Sequence, residues 1–90
     1  MSEFKNRYRP SRVSPPGETL AELLGDRCIT QVELAGRTGL HAKTINEIIK
    51  GKAPITPDTA LRLETVLKLP AEFWLTREQQ YQEYLARARD

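Results

Sequence analysis

Residues 30–51 read TQVELAGRTGLHAKTINEIIKG, and within them Gln31, Ala35, Gly39, Ile45 and Ile48 stand at relative positions 1, 5, 9, 15 and 18. That is the spacing of two short helices joined by a tight turn, the helix-turn-helix. Thr30 and Glu33 form a capping box, in which the threonine oxygen meets the backbone N–H of residue 33 and the glutamate reaches back to that of residue 30. A helix is predicted to start at this cap and to end near Thr38. Gly39 makes the turn, since glycine enters the left-handed conformation without a Cβ penalty. Ala35 is small where the following helix crosses closely. That helix is predicted over about Ala42 to Lys50, closing on Gly51, with Ile45, Ile48 and Ile49 on one stripe and Leu34 and Leu40 adding inward-facing surface. A helical corner used only for packing shares this inner pattern, so a function has to be read from the outward residues.

Outward from this segment the punctuation continues. Pro15, Pro16 and Gly17 precede Leu20, Leu23 and Leu24 at i, i+3, i+4, which predicts a first helix over roughly Gly17 to Asp26. Thr56 and Pro57 are an N-cap and first-turn pair, with Asp58 behind them, for a fourth helix carrying Ala60, Leu63 and Leu67. Pro70 marks a new start, and Phe73, Trp74, Tyr81 and Leu85 run along a fifth helix reaching Arg87. No stretch alternates with period two, so no strand is predicted. Five short helices with brief connections imply an all-α, compact five-helix bundle of orthogonal rather than up-and-down type.

Composition narrows the function. The 90 residues carry 14 Lys+Arg against 12 Asp+Glu, a net charge of +2, with 39% apolar and 29% charged residues. A chain of this size buries only about 60% of its unfolded surface, which suits one modest core and not a two-lobed enzyme cleft. No apolar run approaches the roughly 20 residues of a membrane span, and the charged start lacks a signal-peptide stretch. The chain is read as intracellular and expected in the cytoplasm. One cysteine, Cys28, and one histidine, His41, cannot build a zinc site between them, and neither has an evident acid or base partner. Cys28 is expected to fill the turn before the second helix. No enzyme activity, metal or cofactor is expected.

Residues 1–12 hold Lys5, Arg7, Arg9 and Arg12 against Glu3, so the basic excess lies in the arm and the remainder sums to −1. The expected organisation is a flexible basic arm over residues 1–14 and a helix-turn-helix domain over 15–90. Arg7, Arg9 and Arg12 are candidate contacts to an anionic partner, the bland reading being a solubilising tail.

With the isoleucines facing in, Lys43, Asn46, Glu47 and Lys50 fall at i, i+3, i+4 and i+7 on the outer side of the third helix. These are groove-reading chemistries. Asn pairs bidentately with adenine N6 and N7, Lys donates to guanine O6 and N7, Glu accepts from cytosine N4, and Ala42 can meet a thymine methyl. Thr44 joins them as a candidate on the same helix. Lys50 and Lys52 suit phosphate, and Gln31 can donate to a phosphate at the N-terminus of the second helix. Residues 42–52 sum to +2 while residues 71–90 sum to −1, which separates this face from an ordinary solvated one.

From about Pro16 to Leu85 the chain resembles the XRE/Cro-like helix-turn-helix family, in particular its HigA-type antitoxin branch. The resemblance is carried by PPGETLAELL, by TQVELAGRTGLHAKTINEIIKGKAPITPDTALRLE and by AEFWLTREQQYQEYLA, with the GK-x-x-IT-P step and EFWL specific to the branch. It implies a lambda-repressor-like five-helix domain that forms a homodimer, binds a palindromic operator in double-stranded DNA and represses its own operon. It also implies neutralisation of a RelE-like RNA-cleaving toxin. Three positions depart from the pattern: Pro15 stands where a histidine is usual, His41 where a small hydroxyl residue caps the third helix, and Lys68 where a glycine ends the fourth. Similar domains also open longer regulators and metallopeptidase fusions, which is one alternative reading. Another is a helical module that binds protein and not DNA. Trp74, Tyr81 and Leu85 are the candidate dimer interface, with Tyr84 on the same strip.

Overall fold

A computed structural model describes residues 13–89. Its five helices are α1 (Pro16–Arg27), α2 (Gln31–Thr38), α3 (Ala42–Ile49), α4 (Pro57–Leu67) and α5 (Ala71–Arg89), and no strand occurs among the described residues. The all-α, five-helix expectation holds, with helix ends moved by one or two residues.

Local chemistry explains most of the ends. Pro16 opens α1, where its missing N–H costs no intrahelical bond, and Glu18 lies in the positively polarised first turn. Cys28 closes the helix in the left-handed conformation, φ 57°, while the Ile29 N–H returns to the Leu24 carbonyl at 2.9 Å. Thr56 caps α4 by accepting from the Thr59 N–H at 3.2 Å, with Pro57 next in the chain. At the far end of α4, Lys68 adopts φ 67°. A lysine thus takes the conformation that a glycine takes more cheaply, at a cost of about 1–2 kcal/mol.

α3 packs against α1 and α2, α4 against α2 and α5, and α5 also against α1. Leu20, Leu24, Leu34, Ile45, Ile48, Ile55, Ala60, Leu63, Leu67 and Trp74 fill the space between them. The closest approach is between backbones. A Cβ added at Gly17 would overlap the Ile48 carbonyl oxygen and lie 2.7 Å from its carbon and 2.8 Å from the Ile49 Cα. Glycine is therefore what lets α1 rest directly on the end of α3. Across the bundle the Arg27 guanidinium donates to the Leu67 carbonyl at 2.6 Å, satisfying an acceptor that the end of α4 leaves open.

One sequence-based assignment is corrected. The aromatic pair at the start of α5 suggests Trp74 for a dimer surface, but Trp74 is 0% exposed and belongs to the core. Its ring meets Phe73 edge to face with centroids 5.1 Å apart, and Phe73 is the partly buried member of the pair. Among the described residues no helix is long and apolar enough to cross a membrane, and no cluster of His, Cys, Asp and Glu could hold a metal ion.

Candidate nucleic-acid interface

The corner between α2 and α3 begins with the capping box, both halves of which are formed. The Glu33 N–H donates to Thr30 Oγ1 at 3.0 Å and the Thr30 N–H donates to Glu33 Oε1 at 2.9 Å. The second bond holds the Glu33 carboxyl below the usual carboxylate range, since the donor favours its charged form. Gly39 ends α2 at φ 80°, and its N–H donates to the Ala35 carbonyl at 2.9 Å. Thr38, buried at the turn, donates its hydroxyl to the Leu34 carbonyl at 2.7 Å and accepts from the Leu40 N–H at 3.2 Å. His41 precedes α3 without a side-chain capping bond, as its shape leads one to expect.

Burial of Ile45 and Ile48 fixes the rotation of α3. Lys43 and Lys50 are then exposed, and Asn46 and Glu47 are half-buried. Ala42 is exposed at the helix start, Thr44 is half-buried, and Lys52 is exposed in the following loop. Lys43, Lys50 and Lys52 have no carboxylate partner among the described residues, so their charge faces solvent. Gln31 sits at the first position of α2, and its Oε1 accepts from Asn46 Nδ2 at 3.3 Å. The structure thus joins two residues that the sequence places 15 apart. Arg7, Arg9 and Arg12 lie outside the described residues. Tyr81 and Leu85 are half-buried on α5, where the Tyr81 ring stacks near Tyr84 at 6.5 Å.

Two supports are not visible in the sequence. Arg62 of α4 donates to the Thr38 carbonyl at 2.8 Å and to Asp58 Oδ2 at 2.9 Å, so it clasps the turn between α2 and α3. The Asp58–Arg62 spacing of four is an ordinary helical pair, whereas the reach to Thr38, 24 residues away, has no local signal. Glu78 of α5 accepts from the Ile55 N–H at 3.0 Å. The Lys52 and Ala53 N–H groups return to the Glu47 carbonyl at 2.8 and 3.2 Å, so the loop after α3 is tied at both ends.

A family model described as helix-turn-helix matches residues 20–74, more than half of the chain. The structure is also similar to an addiction module antidote protein of a HigA family from Coxiella burnetii, at 34% identity and a TM-score of 0.83, covering 87% of this chain and 86% of that one. The chain belongs to the helix-turn-helix family, in its HigA-type branch. This HigA-type protein is further similar to the antitoxin HigA of Pseudomonas aeruginosa, solved with the higBA promoter, at 32% identity and a TM-score of 0.82 over 86% of this chain and 85% of that one. A further structure, of a Pseudomonas aeruginosa protein in complex with its 18-base-pair operator DNA, gives 30% identity and a TM-score of 0.84 over 90% and 88%. No curated protein matches the chain. The HigA-type family is a family of DNA-binding antitoxins and not of enzymes, so the chain is not an enzyme.

Proposed function

We propose that this chain is a sequence-specific DNA-binding repressor, the antitoxin of a toxin–antitoxin pair that autoregulates its operon in the cytoplasm and neutralises a RelE-like RNase toxin. The observation that carries the reading is the outer stripe of α3. Lys43, Asn46, Glu47 and Lys50 face away from the buried Ile45 and Ile48, with the lysines unpaired among the described residues, in a chain whose structural relatives include structures solved with promoter or operator DNA.

In this reading a homodimer sets two copies of α3 in successive major grooves, about 34 Å or roughly 10 base pairs apart, over a palindromic operator. Asn46 and Glu47, with Ala42, Lys43 and Thr44, meet base edges, while Gln31, Lys50 and Lys52 meet phosphate. The half-buried Tyr81 and Leu85 on α5 support a pairing surface there, and Arg7, Arg9 and Arg12 of the basic arm over residues 1–14 add contacts to the DNA beside those of the domain over 15–90. With about four phosphates neutralised per protomer, a dimer gives a slope of log K against log salt near −7.

The test is a titration on the DNA upstream of the chain's own gene beside random duplex of equal length, at two salt concentrations. Binding to the upstream DNA at least about a hundredfold tighter is expected, within the usual span of specific over non-specific affinity. Asn46→Ala should relax sequence discrimination. Lys50→Ala should weaken all DNA about equally and flatten the salt slope by about 2 in a dimer, one for each protomer. Equal losses on operator and random DNA for both variants would overturn this division of labour.

A further inference from the structure

We infer that Gln31 is a positioning residue for base reading: through its Oε1 it fixes which way round the Asn46 carboxamide faces the groove, and so sets the preference for adenine over guanine. The inference rests on the DNA-binding reading above and adds a specificity role to a residue otherwise assigned to phosphate.

The terminal torsion of an Asn side chain is broad and nearly two-fold, so an unrestrained amide presents its oxygen and nitrogen in either order. For adenine the order matters. Oδ1 has to accept from N6–H while an N–H donates to N7, whereas guanine offers two acceptors, O6 and N7, to which either N–H can donate. An amide free to turn over therefore reads the two purines less differently than one held in a single sense.

The contact at hand supplies the restraint. Asn46 Nδ2 donates to Gln31 Oε1 at 3.3 Å, slightly longer than an ordinary N–H···O bond. Both side chains are half-buried, so the bond is partly shielded from water. A carboxamide has two N–H donors and an acceptor oxygen; with the N–H that points away from Oδ1 spent on Gln31, the other lies beside Oδ1 and completes the fork that adenine requires. The frame on either side is stiff. Gln31 is the first residue of a helix whose cap is doubly bonded through Thr30 and Glu33, and Asn46 is flanked by the buried Ile45 and lies two residues before the buried Ile48. A phosphate only accepts, so one bound by Gln31 takes the Nε2 donors and turns Oε1 toward Asn46; one side chain thus links backbone contact to the sense of the base contact.

Two substitutions at position 31 separate these roles. Gln31→Ala removes both acceptor and donor. Gln31→Glu keeps an oxygen to accept from Asn46 Nδ2 but places a carboxylate where a phosphate is expected. A duplex is first selected by the wild-type protein from a randomised library, and binding is then measured on it and on each single-base variant. Asn46→Ala and the double variant Gln31→Ala/Asn46→Ala are measured in parallel, with thermal melts confirming that each protein is folded.

The expected result is that Asn46→Ala lowers adenine-over-guanine discrimination at one position per half-site by roughly tenfold, the scale of one bidentate pair. Gln31→Ala should lower it at the same position, and the double variant should be no worse there than Asn46→Ala alone. Gln31→Glu should weaken all duplexes while keeping the discrimination. A Gln31→Ala loss that is uniform over every base variant would overturn the inference and leave Gln31 a phosphate contact only. Unchanged discrimination in Asn46→Ala would overturn it too, by removing the base contact that it serves. Failure to select any sequence would instead sink the repressor reading beneath it.

Discussion

Residues 30–39 close both ends of α2 with their own atoms, through the Thr30–Glu33 box and the Gly39 turn, whereas α5 runs for 19 residues with Trp74 its one fully buried side chain among those described. The first region is specified by neighbours in sequence. The second takes its place from what packs on it. Short-range hydrogen bonds close both ends of α2, and the longer reach of Arg62 to the Thr38 carbonyl braces the turn into α3. Beyond the core, α5 carries Tyr81, Tyr84 and Leu85 only half-buried and then four exposed residues, Ala86 to Arg89.

The largest expected effect breaks the tertiary side of this contrast. Trp74→Ala should cost about 3–5 kcal/mol in urea unfolding, since it empties the site where α5 meets the core. A loss near about 1 kcal/mol, the ordinary cost of a point substitution, would mean that the bundle holds without this anchor. Gly17→Ala should follow at about 2–3 kcal/mol, because the new methyl overlaps the Ile48 carbonyl and the backbone cannot yield as a side chain does. The same variant should also weaken operator binding by displacing the end of α3, a result that would tie α1 to the reading face.

Two smaller effects sharpen the local side. Gly36 lies exposed inside α2, and a methyl group added there would meet nothing within 4 Å, so Gly36→Ala should stabilise the fold by about 0.5–1 kcal/mol in the same unfolding measurement. Glu33 gives the smallest effect. Its folded-state carboxyl titrates below the unfolded one, so its contribution is present at neutral pH and is lost as pH falls through the lowered value. Glu33→Gln keeps an oxygen for the Thr30 N–H, and its melting temperature should fall less than that of the wild type on acidification from neutral pH, as the wild-type carboxylate takes up its proton. Equal falls would mean that the box adds nothing to acid sensitivity.

The five helices and the helix-turn-helix corner are legible in the sequence because their signals are short-range: capping residues at fixed offsets, prolines at helix starts, and leucines and isoleucines at helical spacing. The outer stripe of α3 is legible for the same reason, since placing three isoleucines inward fixes what faces out. Trp74 escapes such a reading because an aromatic next to another aromatic at a helix start has the same local pattern whether it packs inward or outward. Only the arrival of the other helices puts Trp74 rather than Phe73 at zero exposure.

What the sequence determined by itself was the set of elements, their ends and the chemistry of the face they present, because each depends on bonds and periodicities within a few residues. Tertiary structure alone decided that Gly17 lets two backbones touch, that Arg62 reaches the Thr38 carbonyl, that Glu78 ties down Ile55 and that Gln31 meets Asn46. Each of these joins residues 15 or more apart in the chain. Their geometry follows from how the buried side chains fit together, which no local pattern encodes.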